Sequence, residues 1–147
     1  MKKFLAFLAC AMFAVPTFAQ EAKEEKKGFK FEVVKEIPIT PIKDQNQAGT
    51  CWSYSGLALI EAELLRMGKG EYDLSEMFVV FNTYMDRARA AVRTHGDVSF
   101  SQGGSFYDVL YAMENYGLVP DCEMPAGVMY GETLSNHTEL SAIADAA

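Results

Sequence analysis

A mostly helical globular fold, entered through a stretch of extended chain, is what this sequence predicts. Three observations carry that expectation. Half of the 147 residues are apolar, a composition that folds rather than staying disordered. Apolar residues recur at three- and four-residue spacing in separate stretches, the period of a helix with one face in a core. A Val-, Ile- and Phe-rich run broken by prolines comes before them and reads as extended, edge-type chain. The length is about that of one domain.

Taken in order, "MKKFLAFLACAMFAVPTFAQ" opens with Lys2 and Lys3, runs apolar from Phe4 to Val15 and closes on Pro16 and small residues near Ala19. This is the layout of a secretory signal peptide, 1–20, and it implies export to the periplasm or outside the cell. Its apolar run is short of the roughly 20 residues a membrane span needs, so no stable span is expected after cleavage. Residues 21–35 follow as a linker whose charged head, "EAKEEKKG", is expected to be solvated. The folded part is placed at 36–147. "FKFEVVKEIPITPIKDQ" is the extended run, interrupted by Pro38 and Pro41. From Thr50 the period changes. "TCWSYSGLALIEAELLRMGKG" carries Leu57, Ile60, Leu64 and Met67 on one stripe, thickened by Leu59 and Leu65, with Gly68 and Gly70 as the stop.

"LSEMFVVFNTYMDRARAAVR" is the second helical stretch, with Asp73 or Ser75 as its cap and Phe78, Phe81 and Tyr84 as core candidates. "THGDVSFSQGGS" is a polar, glycine-rich loop. "FYDVLYAMENYG" is the third helix, presenting Phe106, Val109, Leu110 and Met113 and ending at Gly117. "LVPDCEMPAGVMYGE" is irregular. "SNHTELSAIADAA" starts a fourth helix, with Asn136 and Glu139 spaced as a capping box. No internal repeat is visible. The last residue falls inside that helical pattern with no polar tail, an ending that reads as a cut.

The formal net charge is −7, and no basic cluster lies between the ends, which argues against a nucleic-acid partner. Loss of Lys2 and Lys3 with the signal leaves 11 basic against 20 acidic residues, a net charge of −9. Cys10 leaves with the same segment, so Cys51 and Cys122 are the thiols of the mature chain. An exported protein could join them or keep either free. Two cysteines without clustered histidines cannot build a four-ligand zinc site. No metal or organic cofactor is implied.

Cys51 carries the chemistry. A free cysteine is ordinarily a small buried apolar residue, but its setting here differs. Gly49 permits a tight turn into the helix, and Cys51 falls at the first helical positions. There the unpaired N–H groups and the positive end of the helix dipole favour thiolate over thiol, which is what makes a cysteine nucleophilic. Gln45 lies on the approach to the same helix. Its side-chain amide and the N–H of Cys51 are a candidate pair of donors for an oxyanion.

"ITPIKDQNQAGTCWSYS" resembles the active-site segment of papain-like cysteine peptidases: Gln45, Gly49, Cys51, Trp52 and then Ser53-Tyr54-Ser55. "LSEM", Leu74 to Met77, resembles that family's Leu-Ser-Glu-Gln element. "SQGGSF", Ser101 to Phe106, resembles its glycine loop, whose backbone, at Gly103 and Gly104, binds extended substrate. "ENYGLVPDCEMP" resembles the passage from a helix into a Tyr-Gly turn, and its Val-Pro is more like the bleomycin hydrolase/aminopeptidase C branch. The resemblance runs from about Ile37 to Pro125. It implies an α+β, papain-like fold, with this chain covering mainly the helical N-terminal lobe and its nucleophile helix, and the β-rich lobe largely missing. It also implies cysteine-type peptidase action on peptides through a thioester on Cys51. Many secreted members carry a cysteine, disulfide-bonded, three residues before the nucleophile; here Ala48 stands there, leaving Cys122 free and structural. Little chain separates the signal from the peptidase segment, so the long propeptide of many members is absent.

Such a peptidase needs a histidine to pair with the thiolate and protonate the leaving amine, and an Asn or Asp to orient it. In the papain pattern that histidine lies roughly 130–150 residues beyond the cysteine, whereas 96 residues follow Cys51. His95 sits in a polar loop. His137 is followed by Thr138, Glu139 and a helical pattern instead of an apolar strand. Neither fits, so the chain is expected to hold the nucleophile half of the site and to be inactive alone. Two rival readings remain: a cysteine amidase for non-protein amides, and a truncated, non-catalytic binding protein. Oligomers are suggested by the resemblance alone.

Overall fold

The computed structural model describes residues 28–98, 100–128 and 131–146. The expected signal peptide, 1–20, with Cys10, and most of the expected linker, 21–35, lie outside the described residues. Residues 28–34 belong to a unit of their own. They are extended, and the rings of Phe29 and Phe31 lie 6.2 Å apart. Lys35–Ala147 is the compact unit.

Four α-helices order that unit: α1 (Cys51–Arg66), α2 (Glu76–Arg93), α3 (Phe106–Tyr116) and α4 (Thr138–Ala146), with a 3-10 turn at Asp121–Glu123. Among the described residues there is no strand, only two isolated bridges, Gln47 with Asn136 and Leu74 with Pro120. Helices α1, α2 and α3 each pack on the other two. Their core holds Leu57, Val79, Val109 and Ala112 fully buried, with Trp52, Leu74, Met77, Val80 and Tyr84 nearly so. Burying each Leu or Val contributes about 1.5–3 kcal/mol.

The termini form for local reasons. Gly68 (φ 68°) ends α1; its N–H donates to Leu65 O and that of Lys69 to Leu64 O, the double closure that a left-handed residue allows. Of the two candidate caps of α2, Ser75 does the work: its Oγ accepts from Phe78 N–H at 3.0 Å and donates to Met124 O at 2.6 Å. Asp108 reaches back from α3 to the Ser105 N–H at 2.7 Å. At α4 the expected box is replaced by a tighter turn. Asn136 Oδ1 accepts from Thr138 N–H, two residues on, and the helix begins at Thr138.

Three buried faces differ from the expected ones. On α1, Leu59 and Met67 are both half-exposed, while Glu61 is 2% exposed and shares the buried side with Trp52, Ser53, Gly56 and Leu57. Glu61 is tolerated because it is satisfied: Thr40 Oγ1 donates to it at 2.5 Å and Leu74 N–H at 2.8 Å. On α3 the inner face is Val109 and Ala112, while Phe106 and Met113 are partly exposed at its edges, Phe106 still reaching Gly56 of α1. Small residues decide this. A Cβ on Gly56 would lie 2.6 Å from Val109 Cγ2, so α1 and α3 cross where only hydrogen and a methyl fit. On α2, Tyr84 is buried as expected, but Phe81 is 49% exposed.

The extended lead-in is fastened to the start of α2 by Lys43. Its ammonium pairs with Asp73 at 2.6 Å and Glu76 at 3.0 Å and donates to Leu74 O at 2.9 Å. Partial burial works against the charge, but the two carboxylates outweigh it and raise the Lys43 pKa.

Candidate active site

Cys51 is the first residue of α1, exposed, and its thiol is free. Its neighbours are not exposed. Ala48, Thr50, Trp52 and Ser53 are all buried, so the thiol projects from a packed seat. Thr50 caps the helix without a side-chain hydrogen bond, and its Oγ1 is buried and unpaired. No acidic residue occupies the first turn. Ser53 and Tyr54 N–H groups close on Thr50 O. The Cys51 N–H has no acceptor among the described residues, as expected for a first-turn donor.

Two clamps hold this seat. One comes from the segment before α4: Asn46 Nδ2 donates to Ser135 O at 3.1 Å, and His137 N–H donates to Gln47 O at 2.9 Å. Asn46 takes a left-handed φ of 50°, its N–H closing on Asp44 Oδ1 at 2.7 Å. Gln45, inside that turn, is half-buried, and its amide makes no hydrogen bond among the described residues.

The other clamp is the glycine loop. Gln102 Oε1 accepts from Gly49 N–H at 2.7 Å, and Gln102 O accepts from the Trp52 indole N–H at 2.9 Å and from Tyr84 OH at 3.0 Å. Arg87, from α2, lies over the Trp52 ring (5.6 Å from its centroid), pairs with Asp108 at 3.0 Å and donates to Ser101 O at 3.0 Å and to Gly103 O. Gly104 lies against the indole: a Cβ there would be 2.6 Å from Trp52 Cδ2. Gly103 has open space around it. The structure therefore brings the Gly103–Gly104 backbone beside the helix start that carries Cys51. It is fastened on both sides of the cysteine, to Gly49 and to Trp52.

The side chains beneath this loop are tuned by burial. Tyr84 is pushed up to about 12 by desolvation, with Arg87 opposing. Desolvation alone would raise Asp108, but the Ser105 N–H and Arg87 outweigh it and hold its carboxyl below the usual range.

Neither histidine hydrogen-bonds to Cys51 among the described residues. His95 follows α2 with a left-handed φ of 54° and is exposed. His137 packs its ring on Tyr84, 5.9 Å between centroids, and burial lowers its pKa. It lines an apolar cavity of about 830 Å³ with Met77, Val80, Phe100 and Leu140. Cys122 is free and exposed in the 3-10 turn. Among the described residues no three His, Cys, Asp or Glu side chains converge as metal ligands. The sequence reading missed Gln102, Arg87 and Tyr84 as parts of this site. Gln102 abuts the glycine pair, which was the one available signal; the other two are 15 or more residues away in sequence.

A free, exposed thiol thus opens a helix beside a fastened glycine backbone. The family model for papain family cysteine proteases matches residues 29–119, and the chain belongs to that family. Its fold is accordingly the papain-like α+β fold, of which the described residues form helical parts. Among curated proteins it is similar to the senescence-specific cysteine protease of rice, in both Oryza sativa subsp. indica and subsp. japonica, at 30% identity over 89 residues. The match covers 59% of this chain but only 23% of those relatives.

Proposed function

We propose that this chain carries the nucleophile half of a cysteine-type peptidase. The observation that carries the reading is the seat of Cys51: an exposed thiol on the first residue of α1, between Gly49 and Trp52, which both bind the glycine loop. In this reading Sγ attacks the scissile carbonyl carbon of a peptide, and the displaced electron pair becomes an oxyanion. The Cys51 N–H and the uncommitted amide of Gln45 donate to it. Collapse breaks the C–N bond, the amine departs with a proton from an acid, and a thioester remains on Cys51. Water then releases the carboxylic acid and restores the thiol. The backbone of Gly103 and Gly104 aligns extended substrate beside the sulfur.

The proton donor is an imidazole that neither His95 nor His137 supplies, so the 147-residue chain alone is inactive. Ala48 and the Val119-Pro120 pair favour the bleomycin hydrolase/aminopeptidase C branch, and aminopeptidase-like action with it. Residues 1–20 direct export, 21–35 are a linker and 36–147 are peptidase domain. The substrate is a peptide or protein. The test is hydrolysis of fluorogenic peptides by the complete gene product and its Cys51→Ala and Gln45→Ala variants. Activity is expected to vanish with Cys51→Ala and to fall about 10²–10³-fold with Gln45→Ala. Full activity in Cys51→Ala overturns the reading.

A further inference from the structure

Resting on that reading, we infer that Gln102 is a positioning residue, which sets the register between the substrate-aligning backbone and the nucleophile. Its contacts point both ways along the chain from Cys51. The side-chain Oε1 holds Gly49 N–H, two residues before the sulfur, and the main-chain carbonyl holds the Trp52 indole, one residue after it. The residue that follows Gln102 is Gly103. Any drift of Gln102 therefore moves the substrate backbone relative to Sγ.

The rest of the side chain and the loop make that position unique. Gln102 Nε2 donates to Ser141 Oγ on α4, so the amide is held at both ends and its orientation is fixed. Tyr84 OH supplies a second donor to the carbonyl at 3.0 Å. Gly49 permits the approach: a Cβ there would lie 2.9 Å from Gln102 Cβ and 3.2 Å from Oε1. A carbonyl taking two donors and an amide spanning two elements hold the loop more tightly than any single contact. A shift of 1 Å at such a place is enough to spoil attack geometry.

The bond to Gly49 is exposed, so its loss leaves a donor that water satisfies, and the fold survives. What changes is alignment, and alignment is measurable apart from thiol reactivity. The complete gene product is treated with a tripeptide chloromethyl ketone and, separately, with iodoacetamide, and alkylation of Cys51 is followed by peptide mass spectrometry. The ratio of the two rate constants reports the help that the glycine loop gives. Gln102→Met keeps the bulk and removes the acceptor; its ratio is expected to fall about tenfold, the worth of one well-placed hydrogen bond. Gln102→Glu keeps an acceptor for Gly49 N–H and for the Ser141 hydroxyl, and is expected to stay within about twofold of the parent. A Met variant with the parent's ratio, or a Glu variant that falls as far as Met, overturns the inference. Failure of the underlying reading shows differently: the parent's own ratio would then be no greater than that of glutathione.

Discussion

Gly104→Ala is a local test of how the glycine loop is seated. The added Cβ would lie 2.6 Å from Trp52 Cδ2 and Cε2 and 2.9 Å from Cγ, about 1 Å inside the optimum for carbon atoms. The indole has nowhere to go. It is 5% exposed, its N–H is bound to Gln102 O, and Arg87 lies over the ring. The loop must back away instead, loosening bonds from Trp52, Tyr84 and Arg87. Overpacking of this kind costs about 1–3 kcal/mol, and restricting the unfolded chain returns only about 0.4–1 kcal/mol. A net loss of about 1–2 kcal/mol is expected. Gly103→Ala is the control, because nothing lies within 4 Å of its added methyl; it should be neutral or gain a few tenths of a kcal/mol. Urea unfolding followed by tryptophan fluorescence reads both, and Trp52, the chain's one tryptophan, sits at the perturbed spot. With m about 1–3 kcal/mol/M, the two midpoints should separate by roughly 1 M. Equal midpoints would refute the placement of Gly104 on the indole.

Glu61→Ala should cost about 2–3 kcal/mol in the same assay, because it strands the buried Leu74 N–H and the Thr40 hydroxyl; a loss under 0.5 kcal/mol would contradict the buried network. His137 gives a pH test. Burial lowers its pKa in the fold, so as pH falls through about 6.5 the unfolded chain takes up a proton that the fold refuses. Stability contributed by the neutral imidazole is present above that pH and is lost below it. Thermal melts between pH 7.5 and 5.5 should show Tm falling, with a smaller fall in His137→Phe; equal slopes would count against the burial. Cys51→Ala should leave the unfolding free energy unchanged within about 0.5 kcal/mol, since an exposed side chain is removed, and a larger change would mean that the thiol is packed.

Much of this was written in local sequence. The start of α1 at Cys51 and the caps at Ser75 and Gly68 depend on nearby residues, and those were legible; Gly49 was legible as a required glycine, but its reason is the approach of Gln102, and the left-handed residue of the turn is Asn46. The buried faces were less so. A three- and four-residue stripe on α1 places Leu57 correctly and admits Leu59 and Leu65, but the close crossing is at Gly56, and Glu61 shares the packed side. No pattern of hydropathy places a carboxylate in a core; Glu61 belongs there only because Thr40 and Leu74 arrive from elsewhere with donors. The site divides the same way. Cys51 and Gln45 are proposed from one short segment, whereas the Gln102–Gly49 and Arg87–Trp52 contacts join residues 53 and 35 apart, through folding alone.

The candidate site is built by burying what flanks Cys51 and leaving Cys51 out. Thr50 and Ser53 are 0% exposed and Trp52 5%, and the last two are tied to different parts of the molecule. Ser53 Oγ donates to Glu76 O at the start of α2, and Trp52 to the glycine loop. Cys51 itself is exposed, so the sulfur's position is set largely by its buried neighbours' contacts. The absence of a cysteine at Ala48 fits this construction. Where a covalent bridge would pin the approach to Cys51, this chain uses a glycine N–H against a glutamine carbonyl at 2.7 Å and an asparagine amide against Ser135 O. Those bonds do not depend on redox state, so reduction that keeps the Cys51 thiol usable leaves its seat intact.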